Sequence, residues 1–425
     1  MKKLLFLFLI FSNVAFAQYE DCKIDAFLTP RRNPVILTVG GTYSDIPGYT
    51  NRAIQIAIDA LPVEGGTVKL NKGTFLIKGA VCLKSNVKLI GSGEATILKS
   101  GSGFESNLAD DADYGEVFLT VEDASGFEVG MNVQVWDAPQ KSCWILSTAR
   151  ITDIVGNRLY IDRGMIADYR VSNNGRVSNG GSTVLVRDAE NVFVSNFTID
   201  GNKENTVKAH GCNNGGVAVF KSKNITVDNI HVKDFNGEGI TWQTTENVTV
   251  QNCEIEGCTN MGMHPGTGSP KSRILNNNSH NNAVDGMYIC WRAHHSIVRG
   301  NQFHNNGRFG ICTGHKDSEI IFEDNHIYEN GSEGVNLRME IPRNSPHNNT
   351  FVNNIIENNG QKEPAYGIGI YSWPENLIIK NNIIRDTKNG TQKGGIFIQK
   401  DAPEITIKDN KMSGHKEGDV IYEKK

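Results

Sequence analysis

The chain lacks a surplus of either charge: 43 Lys and Arg face 47 Asp and Glu, a formal charge of -4, or -6 (41 against 47) once Lys2 and Lys3 of the leader are removed. Nucleic acid is thereby excluded as an expected partner, because phosphate binding calls for clustered positive charge. Proline is scarce, at 12 of 425 residues, and with 38% hydrophobic and 21% charged residues the chain is too apolar for a disordered tail. A large folded body is expected, globular or solenoidal. The eight cysteines, at 22, 82, 143, 212, 253, 258, 290 and 312, never fall into a paired CxxC spacing. That argues against a zinc ribbon and leaves disulfides in an oxidising compartment, whose connectivity cannot be read from spacing. Long apolar runs are also missing. Leu4 to Phe11 is too short to span a bilayer, and no second run follows.

What surrounds that run is informative. Lys2 and Lys3 precede it and Ala15-Phe16-Ala17 closes it, the pattern of a secretory signal peptide over residues 1–17, with no Cys at the cleavage point to take a lipid. The expected product is exported, periplasmic or extracellular, without membrane insertion.

One Asn recurs at positions 196, 229, 252, 277, 301, 325, 354, 382 and 410, with gaps of 33, 23, 25, 24, 24, 29, 28 and 28. A Gly followed by an apolar residue keeps step with it at 216, 239, 262, 286, 310, 334, 367 and 395. A period near 24 with short β-branched runs such as Ile225-Thr226-Val227 is too short for paired helices and suits one coil of a parallel β-solenoid. Coils stack at roughly 4.8 Å, so identical residues form ladders. Asn tolerates the positive φ of a tight bend and its amide donates up and accepts down the column, while the Gly column marks a bend where a Cβ would clash. The Asn-x-Thr triplets at Asn224 and Asn247 are explained by this ladder rather than by glycosylation.

These columns resemble the right-handed parallel β-helix proteins of the pectate-lyase-like superfamily, which implies an all-β solenoid. Thr50-Asn51 opens a short helix with Ile54, Ala57, Ile58 and Leu61 on one face, stopped by Pro62, and that helix would cap the solenoid. The expected order is a cap and first coils over 18–104, a small β insert over 105–181 where the ladder is lost, and the main coils over 182–425. Trp136, Trp144 and Tyr169 of the insert could stack on sugar rings, or belong to its core.

By strand alternation, the residues two and four after each ladder Gly point outward. They form one stripe: Thr241 and Gln243, His264 and Gly266, Tyr288 and Cys290, Cys312 and Gly314, Asn336 and Arg338. The bend beyond adds Arg292, His294, His295, His315, Lys316, Asp317 and Glu340. His280 and His304 lie in another column continued by Tyr328, where stacking accounts for them. Gly266 and Gly314 would let a ligand approach the backbone. Cys290 and Cys312 are offset to roughly 8 Å between Cα atoms, beyond disulfide reach. A metal held by them with His264 or His315 matches no known zinc spacing.

A groove of bases, aromatics and cations suits an anionic polysaccharide or oligosaccharide, here a uronic-acid glycan, taken by an expected monomer. β-Elimination needs a cation on the carboxylate, a base for the C5 proton and an acid for the leaving group. Arg338, Arg308 or Arg292 could hold the carboxylate, with Gln243 and Asn336 as further substrate contacts; His264, Lys316 or His315 could be the base and Tyr288 the proton donor. No cofactor is required, and a calcium ion in place of Arg finds no Asp cluster on the stripe. Expelling a sugar makes a lyase, expelling a hydroxyl a dehydratase, and returning the proton to the other face an epimerase. Gly262-Met263-His264-Pro265-Gly266, Asp285-Gly286-Met287 and Arg308-Phe309-Gly310-Ile311 resemble mannuronan C5-epimerases. That resemblance implies carboxylate binding by Arg308, but the family's Asp is His264 here and its catalytic His is Gly266. Alternatives are a glycoside hydrolase using paired carboxylates among Glu238, Asp285 and Glu333, or Asp317 with Glu340, and a non-catalytic glycan binder.

Overall fold

The computed structural model describes residues 35–139, 145–210, 212, 214–388 and 390–424. The leader expected over 1–17, Cys22, Cys143 and Trp144 lie outside them. The chain forms a parallel β-helix, as its columns imply. One sheet runs unbroken through eleven parallel strands, from Val81–Leu83 and Val184–Arg187 through Glu238–Gln243, Met263–Pro265, Met287–Tyr288, Ile311–Thr313 and Val335–Leu337 to Gly418–Tyr422. The residue after each ladder Gly points inward: Ile240, Met263, Met287, Ile311 and Val335 pair in register and are fully buried. The glycines are there for space. A Cβ on Gly239 would sit 2.5 Å from the Gly262 carbonyl oxygen, and one on Gly310 2.7 Å from that of Gly334.

The Asn repeat resolves into two adjacent columns. The left-handed bend is held by Asn196, Asn229, Asn252, Asn276, Gly300, Asp324, Asn353, Asn381 and Asp409. The amide ladder lies one residue later, at Asn277, Asn301, Asn325, Asn354, Asn382 and Asn410: Asn277 Oδ1 accepts the Cys253 N–H, and each later Oδ1 accepts the backbone N–H and Nδ2 of the Asn on the coil before. The single column expected from the sequence therefore slips by one residue between Asn252 and Asn277. A second buried ladder, Asn282, Asn306, Asn330, Asn359 and Gln392, lines another corner. Asn191, Asn224 and Asn247 form a third, exposed one, so the Asn-x-Thr asparagines belong to a ladder of their own rather than to the expected column.

Thr50 caps the helix Asn51–Ala60 by accepting from the Ala53 N–H, and Ala53, Ile54, Ala57 and Ile58 form its buried face against the first strands. The solenoid begins before the helix, since Ile36–Val39 pairs in parallel with Gly66–Leu70. Between two directly paired coils, Val81–Leu83 and Val184–Arg187, the chain leaves to build a six-stranded antiparallel sheet from Glu105–Asn107 to Arg176–Ser178. This sheet has its own core, including Leu108, Val133, Ile151 and Leu159. Tyr169 belongs to that core, its hydroxyl bonded to Ser147 and to the Ile145 carbonyl, and Trp136 is buried against His210. Neither is a sugar platform.

Candidate active site

The stripe after the ladder glycines opens into a cavity of about 680 Å³ whose walls include Glu238, His264, Tyr288, Cys290, Arg308, Cys312, Asn336, Arg338, Met339 and Tyr371. His264, Tyr288, Cys312 and Asn336 are consecutive rungs of one column. The loop ahead of Gly215 closes the first rung: Thr241, fully buried, donates its hydroxyl to the Cys212 carbonyl.

His264 is only 4% exposed. Its Nδ1 lies 2.9 Å from both oxygens of Glu238, whereas Nε2 is buried with no hydrogen-bond partner. Burial opposes its charged form, but the Glu238 carboxylate and the neighbouring Cys290 prevail and push the imidazole pKa up to about 10. The Tyr288 ring stands edge-on to His264, centroids 5.4 Å apart. Burial drives the Tyr288 phenol upward, against the pull of Arg338, so it stays a proton donor at neutral pH. Arg338 stacks on Tyr288 with Cζ 4.6 Å from the ring centre, donates to the Ile289 carbonyl at 2.7 Å and pairs with Asp317 at 3.3 Å. Burial raises the Asp317 carboxyl to about 6, although Arg338 and the Gly314 and Ala293 N–H groups favour its ionised form.

Arg308 holds Asp285 through two bonds, Nε to Oδ1 at 2.9 Å and Nη2 to Oδ2 at 2.6 Å, yet its side chain is 43% exposed. Nη1 and the rest of the fork remain for an anion. Tyr371, which the count from ladder glycines reaches as Gly367 plus four, donates to Glu333 at 2.6 Å and was missed because the stripe was ended at Arg338.

Four residues of the expected site do not line this cavity. Gln243 is fully buried and lies over Gly266, where a Cβ would be 1.9 Å from its Oε1, and that oxygen accepts from the Thr267 N–H. Gly314 likewise makes room for Arg338, whose Cγ would be 2.5 Å from its Cβ. Both glycines thus accommodate neighbouring side chains rather than a ligand. His315, Lys316 and Arg292 sit at the bend beyond the cavity walls: His315 bonds Glu340 at 3.2 Å, and Lys316 and Arg292 are exposed with left-handed backbones. His280, His304 and Tyr328 stack on another face at 4.7 and 4.5 Å, as expected.

Glu238, Asp285 and Glu333 are bonded to His264, Arg308 and Tyr371 respectively, so none presents an uncommitted carboxylate to a cation. Cys290 and Cys312 are free thiols, and burial pushes Cys312 up to about 12. Among the described residues, the one group of three His, Cys, Asp or Glu residues with donor atoms within 4.8 Å is His294, His295 and Glu319, on the surface outside the cavity.

The family described as rhamnogalacturonase A/epimerase, pectate lyase-like, matches residues 45–264, more than half of the 425-residue chain, and a right-handed beta helix region matches 267–412. No curated protein matches the sequence. Among solved structures, the chain resembles the A-module of Azotobacter vinelandii mannuronan C-5 epimerase AlgE4, with 17% identity, 87% of this chain and 92% of that one covered, and a TM-score of 0.55. A polygalacturonase from Erwinia carotovora ssp. carotovora is similar at 13% identity, with 94% and 97% covered and a TM-score of 0.57. At such identities the likeness is one of fold.

Proposed function

This chain belongs to the rhamnogalacturonase A/epimerase, pectate lyase-like family, and from that premise we propose that it cleaves a uronic-acid-containing glycan or oligosaccharide by β-elimination. The observation that carries this reading is His264: a buried imidazole fixed at Nδ1 by a carboxylate, its Nε2 unpartnered in a cavity shared with a protonated phenol and two guanidinium groups. Arg308, the more exposed of the two arginines, neutralises the substrate carboxylate and so acidifies the C5 proton. With its pKa at about 10, His264 is mostly charged at neutral pH, so the base is its neutral fraction, which grows as pH rises. It takes that proton at Nε2, the electrons form the C4–C5 double bond as the C4–O4 bond breaks, and the Tyr288 hydroxyl gives its proton to the departing oxygen. Expelling a sugar makes the enzyme a lyase and expelling water a dehydratase. The commitment of Glu238, Asp285 and Glu333 to fixed partners supports elimination over hydrolysis, which requires an acid and a base carboxyl facing one scissile bond. Export, expected from residues 1–17, belongs to the same proposal.

Incubation with pectate, alginate, ulvan and glycosaminoglycans tests it. One of them should yield products with the ultraviolet absorbance of an unsaturated uronate. New reducing ends without that absorbance would establish hydrolysis instead, and neither signal would leave epimerisation or binding.

A further inference from the structure

Trp291 follows the cavity residue Cys290 and has a left-handed backbone, φ 50, a conformation that costs energy for a bulky side chain. The bend itself does not demand it. Inter-coil hydrogen bonds align Gly268, Arg292 and Lys316 as the left-handed bend residues, whereas Thr267 and His315, the equivalents of Trp291, are not left-handed. The extra turn leaves Trp291 43% exposed and stacked on one side against His315, ring centres 4.9 Å apart. His315 is itself fixed by Glu340, next to the cavity residue Met339. On the preceding coil the equivalent of Arg292 is Gly268, and a Cβ built there meets nothing within 4 Å, so the space beside Arg292 is open. Arg292, next in the chain to Trp291, and Lys316, next to His315, share one bend position on adjacent coils, exposed and without an ion pair among the described residues.

We propose that Trp291, braced by His315 and flanked by Arg292 and Lys316, is a substrate subsite at the rim of the cavity that stacks on a uronate residue adjoining the one that reacts. The apolar face of a sugar ring lies on the free indole face, and its carboxylate meets the two cations. The enzyme then favours chains over the shortest fragments. This inference rests on the uronate reading of the cavity.

The test is calorimetric binding of uronate oligosaccharides of increasing length, with neutral oligosaccharides alongside, to the full chain, to Trp291→Asn and to Arg292→Ala/Lys316→Ala. Asn tolerates the left-handed conformation, so Trp291→Asn should melt no lower than the wild type. It should nevertheless bind the longer uronates about tenfold more weakly, with little change for the disaccharide, and the double variant should lose a similar factor and part of its salt dependence. Equal binding of long uronates by the wild type and Trp291→Asn overturns the subsite, as does a lower melting temperature with binding intact. Trp291-dependent uronate binding without any unsaturated product would sink the elimination reading alone, while binding of neutral chains only would overturn the uronate class for both.

Discussion

Changing Glu238 to Gln keeps the shape of the side chain and removes the charge facing His264 2.9 Å away. In the wild type burial opposes the imidazolium, but Glu238 and Cys290 outweigh it and the pKa lies near 10. Because this folded-state value is above the unfolded one of about 6.5, the proton contributes stability that is fully present below about pH 6.5 and is lost as pH rises through about 10. Wild-type stability should fall across that window. In Glu238→Gln burial acts unopposed by the carboxylate, His264 becomes neutral, and the slope should largely vanish. Removing one partner of a buried ion pair costs about 3–5 kcal/mol when the other stays charged. His264 escapes by releasing its proton, so a loss of about 1–3 kcal/mol at neutral pH is expected. Denaturant titrations at several pH values measure both quantities. On the substrate, the acid limb of kcat/KM should move to lower pH in the variant, since neutral Nε2 becomes available sooner, while kcat falls for want of the carboxylate that orients the ring. An unchanged stability slope, or an acid limb that does not move, refutes the coupling.

Tyr288→Phe keeps the ring under Arg338 and deletes the donor, so kcat should drop about 10²- to 10⁴-fold with KM nearly unchanged; a kcat within a few-fold of wild type assigns proton donation elsewhere. Gly314→Ala places a Cβ 2.5 Å from Arg338 Cγ and should push the guanidinium off the Ile289 carbonyl and Asp317, costing about 1–3 kcal/mol in chemical denaturation. A fully stable variant would contradict that packing. Asn301→Ala strips the buried ladder of bonds to Asn277, Asn325 and the Ile274 carbonyl and should cost about 2–4 kcal/mol, whereas the exposed Asn247→Ala should cost well under half of that.

Much of the site was legible because strand alternation is local. Counting two and four from a ladder Gly placed His264, Tyr288, Asn336 and Arg338 on the cavity wall, and the same count from Gly367 reaches Tyr371. The count misplaced Gln243, which is buried, and it states nothing beyond the strand end. His315, Lys316 and Arg292 follow the bend, and there a side chain's direction is set by φ, which no residue pattern states. The Asn columns were merged because the run Asn276-Asn277-Asn278 offers the bend residue and the ladder residue side by side.

The sequence alone therefore determined the parallel β-helix, the helix near its start, a β insert and the side chains that line the cavity from the strand after each ladder Gly, since repeated glycines, amides and alternating apolar residues act through nearest-neighbour geometry. Only the tertiary structure decided that Gln243 and Arg338 lie across Gly266 and Gly314, that the loop at Cys212 closes the first rung, and that Glu238 rather than solvent faces His264. Those contacts join residues on different coils, where the space left by one missing side chain is filled by whichever neighbour is long enough to reach it.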